Sequence, residues 1–477
     1  MRLTAKDKDM RPDAKLPGSE LLGYLSGATG VGIFQALFSA FILVYYTNVA
    51  HVSPAAAGIV IGVSRVFDGL SDLIMGRIVD RTNSRFGKAR PWIIRMIIPA
   101  AISVLLAFWQ PTGIKGTIQI IYMFLTYNLA VTICNTAIAV PEQSLISYMT
   151  LNAKSRSFLG GMHMLGVNVI VALVVTSNFL KISTAFGNGD AYTQKGFTAT
   201  IAICMTLYAV LSLICFFLVR ERVSNVGKEE KEKNENGAST KQVLKSLFTN
   251  RYWLLCVAIT VLIYILMGAT SGTTVYYAQY VAGDLDLQST ITNVYTISML
   301  AALLVTIAFI IGRLGKKKTI VIGSLVAAAG YIIPAFSHSV PLVLGSAAIR
   351  GIGLAIASVP VGSILQDALT YGLWRDGFSS VGMGNAAASF GNKLGTALGT
   401  VILGGVLSLG GFSGKLSTQS ASALHSIVFM YAIFPAIICV LIFICSIPYD
   451  LDGEKYAAME QDIREGHFGK NNDTDEK

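Results

Sequence analysis

The chain reads as a succession of apolar runs parted by short polar breaks. Runs of about 20 apolar residues, the length that crosses a bilayer as a helix, fall at 21–49, 54–79, 91–110, 116–147, 157–180, 196–219, 252–281, 288–312, 319–336, 341–366, 380–408 and 423–447. The pattern predicts an all-α integral membrane protein of twelve spans. The first run is too long for the core of a signal peptide, so it is expected to remain as a span. One break differs from the rest: Arg220 to Arg251 is long, mixed in charge and poor in aromatics. It reads as a solvated linker, with a regulatory docking segment as the alternative, and it divides the spans six and six. The expected layout is a polar N-terminal segment 1–20, a six-helix half 21–219, the linker 220–251, a second half 252–447 and a charged tail 448–477, too short to fold alone.

The second span departs from the apolar pattern. Arg65, Asp68 and Asp72 stand at i, i+3 and i+7, within roughly 60° of one another on a helix. A charge at mid-bilayer costs roughly 2.5 to 3.5 kcal/mol on insertion scales, so this stripe has to face partners, water or a bound ion. The reading is an ion and substrate path. The alternative is a structural ion pair between Arg65 and the two carboxylates.

Composition agrees with the pattern: 53% of residues are hydrophobic, only 13% are charged, and the mean hydropathy is +0.60. The net charge of +10 does not point to nucleic acid, because the basic residues cluster between spans. Loops after odd-numbered spans carry only Lys115, Lys181, Lys195 and Lys415; the opposite side holds Arg81, Arg85, Lys88, Arg90, Lys154, Arg156, the 220–251 cluster, Arg313 and Lys316 to Lys318. The positive-inside bias therefore predicts a multi-pass protein of the cell membrane with both termini cytoplasmic. The six cysteines stand alone in apolar runs and read as packing residues. The five histidines are scattered, which argues against an intramembrane enzyme.

Two six-span halves joined by a cytoplasmic loop are the layout of major facilitator transporters, whose substrates bind at mid-membrane. A weak internal echo, Gly76-Arg77 with Gly87-Lys88 and Gly312-Arg313 with Gly315-Lys316, supports duplication. The string RVFDGLSDLIMGRIVDRTNSRFGKARPW, from Arg65 to Trp92, resembles the span 2 signature of the glycoside-pentoside-hexuronide:cation symporters, the melibiose-carrier family of the major facilitator fold. Tyr45-Tyr46-Thr47, Pro141 with Ser144-Leu145, Tyr276-Tyr277 with Tyr280-Val281, and the series from Gln366-Asp367 to Lys393-Leu394-Gly395 extend the resemblance along nearly the whole chain.

The resemblance implies uptake of a sugar or glycoside with Na⁺ or H⁺ by alternating access, no cofactor, and a monomer. By position it makes Asp68 and Asp72 the cation ligands (the metal ligands, if the ion is Na⁺), Thr136 a supporting hydroxyl, and Lys393 and Arg65 coupling residues. Together Arg65, Asp68, Asp72 and Lys393 sum to zero charge, so a cation could displace the lysine from a carboxylate without leaving unpaired anions. Lys393 could instead snorkel to an interface.

Several departures concern the sugar. Where melibiose-type carriers place sugar-binding acids, this chain has Gly32 and Ala139; Glu142 and Gln143 follow Pro141, and His163 replaces an arginine. Replacement contacts are expected from Gln35, Asn128, Glu142, Gln143, His163, Tyr276 and Asn385, with helix-to-helix glue as the alternative for each. Glu142 is open between sugar ligand and structural partner of Lys154 or Arg156, and His163 with Lys393 would suit an anionic sugar. A cation-dependent lipid carrier of the same fold is the other functional reading. Which sugar and which ion remain open at this stage.

Overall fold

The computed structural model describes residues 16–111, 113–150, 153–222, 240–378, 380–416, 418–451 and 454–465. Among these, all regular structure is helical, the form in which a chain crossing lipid satisfies its own backbone groups. Each expected span lies on a helix. They are α1 (Gly18–Val49), α2 (Pro54–Arg81), α3 (Arg90–Arg95 and Ile97–Ala107), α4 (Thr117–Met149), α5 (Phe158–Phe186) and α6 (Gln194–Leu218) in the first half. The second half holds α7 (Arg251–Val281), α8 (Leu287–Val305), α9 (Arg313–Ala335), α10 (Val340–Asp376), α11 (Val381–Leu409) and α12 (Ala421–Ser446). Ten of them are long and apolar enough to cross a membrane. The other two are α2, with its charged stripe, and α3, which is broken at Met96.

Local chemistry explains the boundaries. Pro54 opens α2 at a position where no N–H is needed, and the Ser53 hydroxyl accepts from the Ala56 N–H at 3.4 Å. The chain kinks at Gly315, near the start of α9, where a φ of 75° is one a side chain would resist. Helix α10 breaks between Ser358 and Val361, where Pro360 supplies no backbone donor. It runs on to Asp376, ten residues past the expected end at 366. A π-helical stretch, Asn128–Asn135, lies within α4 directly before Thr136.

Two polar segments carry helices that the apolar pattern did not predict. Part of the linker is ordered: Thr240–Thr249 forms a helix whose Leu247 is buried, and Asn250 then caps α7 by accepting from Tyr252 and Trp253 N–H, both at 3.1 Å. The tail contributes a helix, Glu454–Arg464, that packs through Met459, while Trp374 Nε1 donates to Asp462.

By compactness the chain forms two units. The first holds the six N-terminal helices with residues 278–293 and 401–424, the turns that join α7 to α8 and α11 to α12. Its core is aromatic: Phe41 stacks on Phe179 with centroids 4.0 Å apart, and Phe38, Tyr45, Phe108 and Phe197 adjoin. At the ends of its helices Arg222 donates twice to Glu20, at 2.6 and 2.7 Å, with both side chains buried. The second unit is built around Trp253, Tyr252, Ile364 and Cys439. In it Lys316 pairs with Asp367, which also accepts from the Tyr449 hydroxyl. Ile98, Ile118, Phe217 and Leu304 are exposed, as lipid-facing residues must be.

Candidate functional site

The charged stripe of α2 meets α4 at Thr136. The Thr136 hydroxyl lies 3.1 Å from Asp68 Oδ1 and 3.2 Å from Asp72 Oδ1. The Ser71 hydroxyl is 3.0 Å from the Thr136 hydroxyl oxygen and donates at 2.9 Å to the Asp68 carbonyl. One hydroxyl carries one proton, so Thr136 cannot hydrogen-bond both carboxylates and Ser71 as a donor at once. Two carboxylates converging on a single oxygen inside an apolar bundle are stabilised by positive charge, whether from a basic side chain, a proton or a cation. The oxygens gathered here, carboxylate and hydroxyl, are of the hard type that binds an alkali cation or shares a proton.

Arg65 does not neutralise this pair as a tight structural partner would. Its Nη1 stands 3.8 Å from Asp68 Oδ2, well outside the roughly 2.8 Å of a charge-assisted hydrogen bond. Its Nε is buried with no hydrogen-bond partner, and Tyr127 lies beside it. Asp68 is almost fully buried, whereas Asp72 and Arg65 are partly open.

Positioning follows from helix geometry. Asp68 and Asp72 are one turn apart and face the same way, and Asn128 ties α4 to α2 one level further along. Its Nδ2 donates to the Ser64 hydroxyl and the Phe124 carbonyl, both at 2.8 Å, and its Oδ1 accepts from Thr132 at 3.0 Å. Asn128 thus spends its hydrogen bonds holding α2 against α4.

The other expected pocket residues separate into groups. Glu142, buried in α4, is not paired with Arg156, whose Nε donates instead to the Thr150 carbonyl at 2.8 Å. The Lys154 side chain lies outside the described residues. Glu142 takes His163 of α5, whose Nδ1 is 3.3 Å from Oε1 and 3.1 Å from Oε2. Gln35 is half-buried on α1 and Gln143 is exposed on α4. In the second unit Tyr276 is buried on α7 and Lys393 is half-buried on α11. The Asn385 side chain lies outside the described residues.

Gly32, the position that carries an acid in melibiose-type carriers, is closed by packing. A Cβ there would lie 2.7 Å from Val167 Cα and 2.8 Å from its carbonyl oxygen, so α5 leaves no room for a side chain. Ser71 is the site residue that sequence reasoning missed; a hydroxyl one residue before Asp72, on the charged stripe, was the available signal.

Residues 23–453 match the family described as MFS/sugar transport protein. The chain belongs to this family of the major facilitator superfamily. It is 26% identical over 425 residues to an isoprimeverose transporter of Lactiplantibacillus pentosus, covering 88% of this chain and 86% of the relative. It is 28% identical over 447 residues to a glucuronide carrier protein homolog of Escherichia coli strain K12, covering 93% and 94%. The names of these relatives are consistent with the glycoside-pentoside-hexuronide resemblance read in span 2. Among solved structures, a bacterial homolog of the lysosomal transporter Spinster superposes with a TM-score of 0.64 at 15% identity, over 91% of this chain and 98% of that one. The D-xylose-proton symporter gives 0.62 at 13% identity, over 89% and 97%. The twelve-helix major facilitator architecture and the resemblance read in span 2 both hold: this is a multi-pass membrane sugar transporter and not an enzyme.

Proposed function

We propose that the protein imports a sugar or glycoside together with a monovalent cation, Na⁺ or H⁺, bound at Asp68, Asp72 and Thr136. The observation that carries this reading is the single Thr136 hydroxyl within hydrogen-bond distance of both carboxylates. Carboxylate and hydroxyl oxygens gathered at one point form a hard donor set that suits an alkali cation or a shared proton, and Arg65 Nη1 stands 3.8 Å from Asp68 Oδ2. In the proposed cycle the cation relieves the carboxylates of a basic partner, for which Lys393 is proposed, and joint occupancy by cation and sugar permits the change of access.

The substrate class is supported by the relatives, one named for isoprimeverose transport and one for glucuronide. Gln35 and Gln143 are the proposed sugar-contacting residues in the first unit, since Asn128, Glu142 and His163 are already hydrogen-bonded to protein groups. Tyr276 and Asn385 are the proposals for the second.

Uptake of labelled α- and β-galactosides, xylosides, glucuronides and a free pentose into proteoliposomes, under an imposed Na⁺ gradient and then a proton gradient, tests the reading. One sugar accumulates under one gradient, and Asp68→Asn abolishes accumulation. Accumulation by Asp68→Asn at the parent's level would remove the cation site from this position. Failure of the parent to move any of these compounds would remove the sugar assignment.

A further inference from the structure

A second ionisable pair bridges α4 and α5, apart from the α2 carboxylates. Glu142 is 1% exposed and follows Pro141 inside the helix. His163 Nδ1 reaches both its oxygens, while the imidazole keeps 21% of its surface open. The groups facing the pair from every packed helix are Tyr24 on α1, whose buried hydroxyl points toward Glu142 without a well-formed hydrogen bond, and Cys215 on α6, with Arg90 of α3 beyond the thiol. Among the described residues no lysine or arginine forms an ion pair with Glu142. Gly27 closes the wall: a Cβ there would meet Cys215 Sγ at 2.6 Å and Glu142 Cγ at 3.8 Å.

Position adds a second observation. Glu142 is six residues beyond Thr136, about 9 Å along the same helix. It lies toward Met149, the end of α4 where the Tyr148 carbonyl accepts from the Arg222 N–H at the start of the linker. The two ionisable sites are therefore in series along α4, with the Glu142 pair nearer the linker side.

We propose that Glu142 and His163 form a proton-binding station distinct from the cation site at Asp68 and Asp72. The inference rests on the transporter reading above. The balance is simple. Holding one exchangeable proton, as carboxylate with imidazolium or as carboxylic acid with imidazole, the pair is neutral. Losing it leaves a buried carboxylate, and gaining another leaves an imidazolium beside a neutral acid. Both charged states are costly in an apolar bundle, so proton exchange is tied to conformations that wet this end of α4. The imidazole is the entry: a proton arrives at the open side of the ring and Nδ1 passes its own to a Glu142 oxygen, with release by the reverse steps.

The test has a substrate-free arm and a transport arm. In the first, infrared difference spectra of reconstituted protein are recorded between about pH 5 and 8, the range in which imidazole groups titrate. The parent gives the bands of a titrating carboxyl–imidazole pair and Glu142→Gln lacks them; superimposable spectra overturn the proposal. In the second, the labelled glycoside that the parent moves is followed in both proteins. Glu142→Gln loses at least ten-fold of proton-driven accumulation yet keeps exchange of labelled for unlabelled sugar at equal pH. Accumulation at the parent's level, or equal loss of accumulation and exchange, sinks the idea, since a purely structural pair would lower both together. Should Glu142→Gln fail to insert, His163→Gln supplies the same readouts. If no glycoside moves in the parent, the sugar reading fails by itself, and the spectra alone decide the proton site.

Discussion

Gly32 shows how one residue can redraw a binding site. Where relatives of the melibiose type present an acid, this chain brings Val167 against the α1 backbone. Restoring the acid by Gly32→Asp should therefore not restore a galactoside site. It forces a side chain into a filled helix crossing, an overpacking cost of about 1–3 kcal/mol, and adds an unpaired buried carboxylate. The expected outcome is a lower melting temperature and a poor yield of monodisperse protein, with no gain in galactoside binding. A Gly32→Asp protein that melts with the parent would show that α5 stands off from α1. At this scale the α2 site was legible, because helical period alone puts Asp68 and Asp72 on one face and an α4 hydroxyl was already expected there. The partner of Glu142 was not. Arg156 and Lys154 were nearer the linker side and carried full charges, but choosing among them and His163 requires the packing of α5 on α4, which no periodicity encodes.

At the scale of elements, the loop between α2 and α3 is fixed by a carboxylate from far along the chain. Glu221, just past α6, accepts from the backbone N–H groups of Lys88, Ala89 and Arg90 at 2.7, 3.0 and 2.9 Å. These are unpaired donors at the start of α3, where a negative charge is favoured. Gly87 makes the approach possible: its φ is 106°, and a Cβ would lie 2.3 Å from the Glu221 carboxyl carbon. Replacing Glu221 by Ala strands three donors, each hydrogen bond to a charged group being worth about 1.5–3 kcal/mol where water does not take its place. Partial hydration of the loop brings the expected loss to about 2 kcal/mol, read as a fall in melting temperature of purified protein; an unchanged melting curve would make this contact incidental. The sequence showed the loop and its basic residues but not this clasp, since more than 130 residues separate donor and acceptor. The helix at Thr240–Thr249 was hidden for a different reason: a short amphipathic helix of ten residues inside a highly charged segment is outweighed by its surroundings.

For the whole molecule, sidedness decides on which face of the membrane each proposed site opens. By the positive-inside bias of the basic loops, the linker side is proposed to face the cytoplasm and the turn between α11 and α12 the other face. Lys245, on the linker helix, and Lys415, in that turn, are both exposed, so single cysteines at these positions report the two faces. In intact cells a membrane-impermeant maleimide should label Lys415→Cys and leave Lys245→Cys unmodified until the cells are opened. The parent supplies the background, since five of its six cysteines are buried. Labelling of Lys245→Cys from outside would invert the molecule. The result bears on where the proton leaves, because the two proposed sites are ordered along α4. With the linker in the cytoplasm, the carboxylates of α2 lie deeper in the membrane and the Glu142–His163 pair nearer the cell interior. On the proposal above, a proton given up at Glu142 then leaves on the cytoplasmic side.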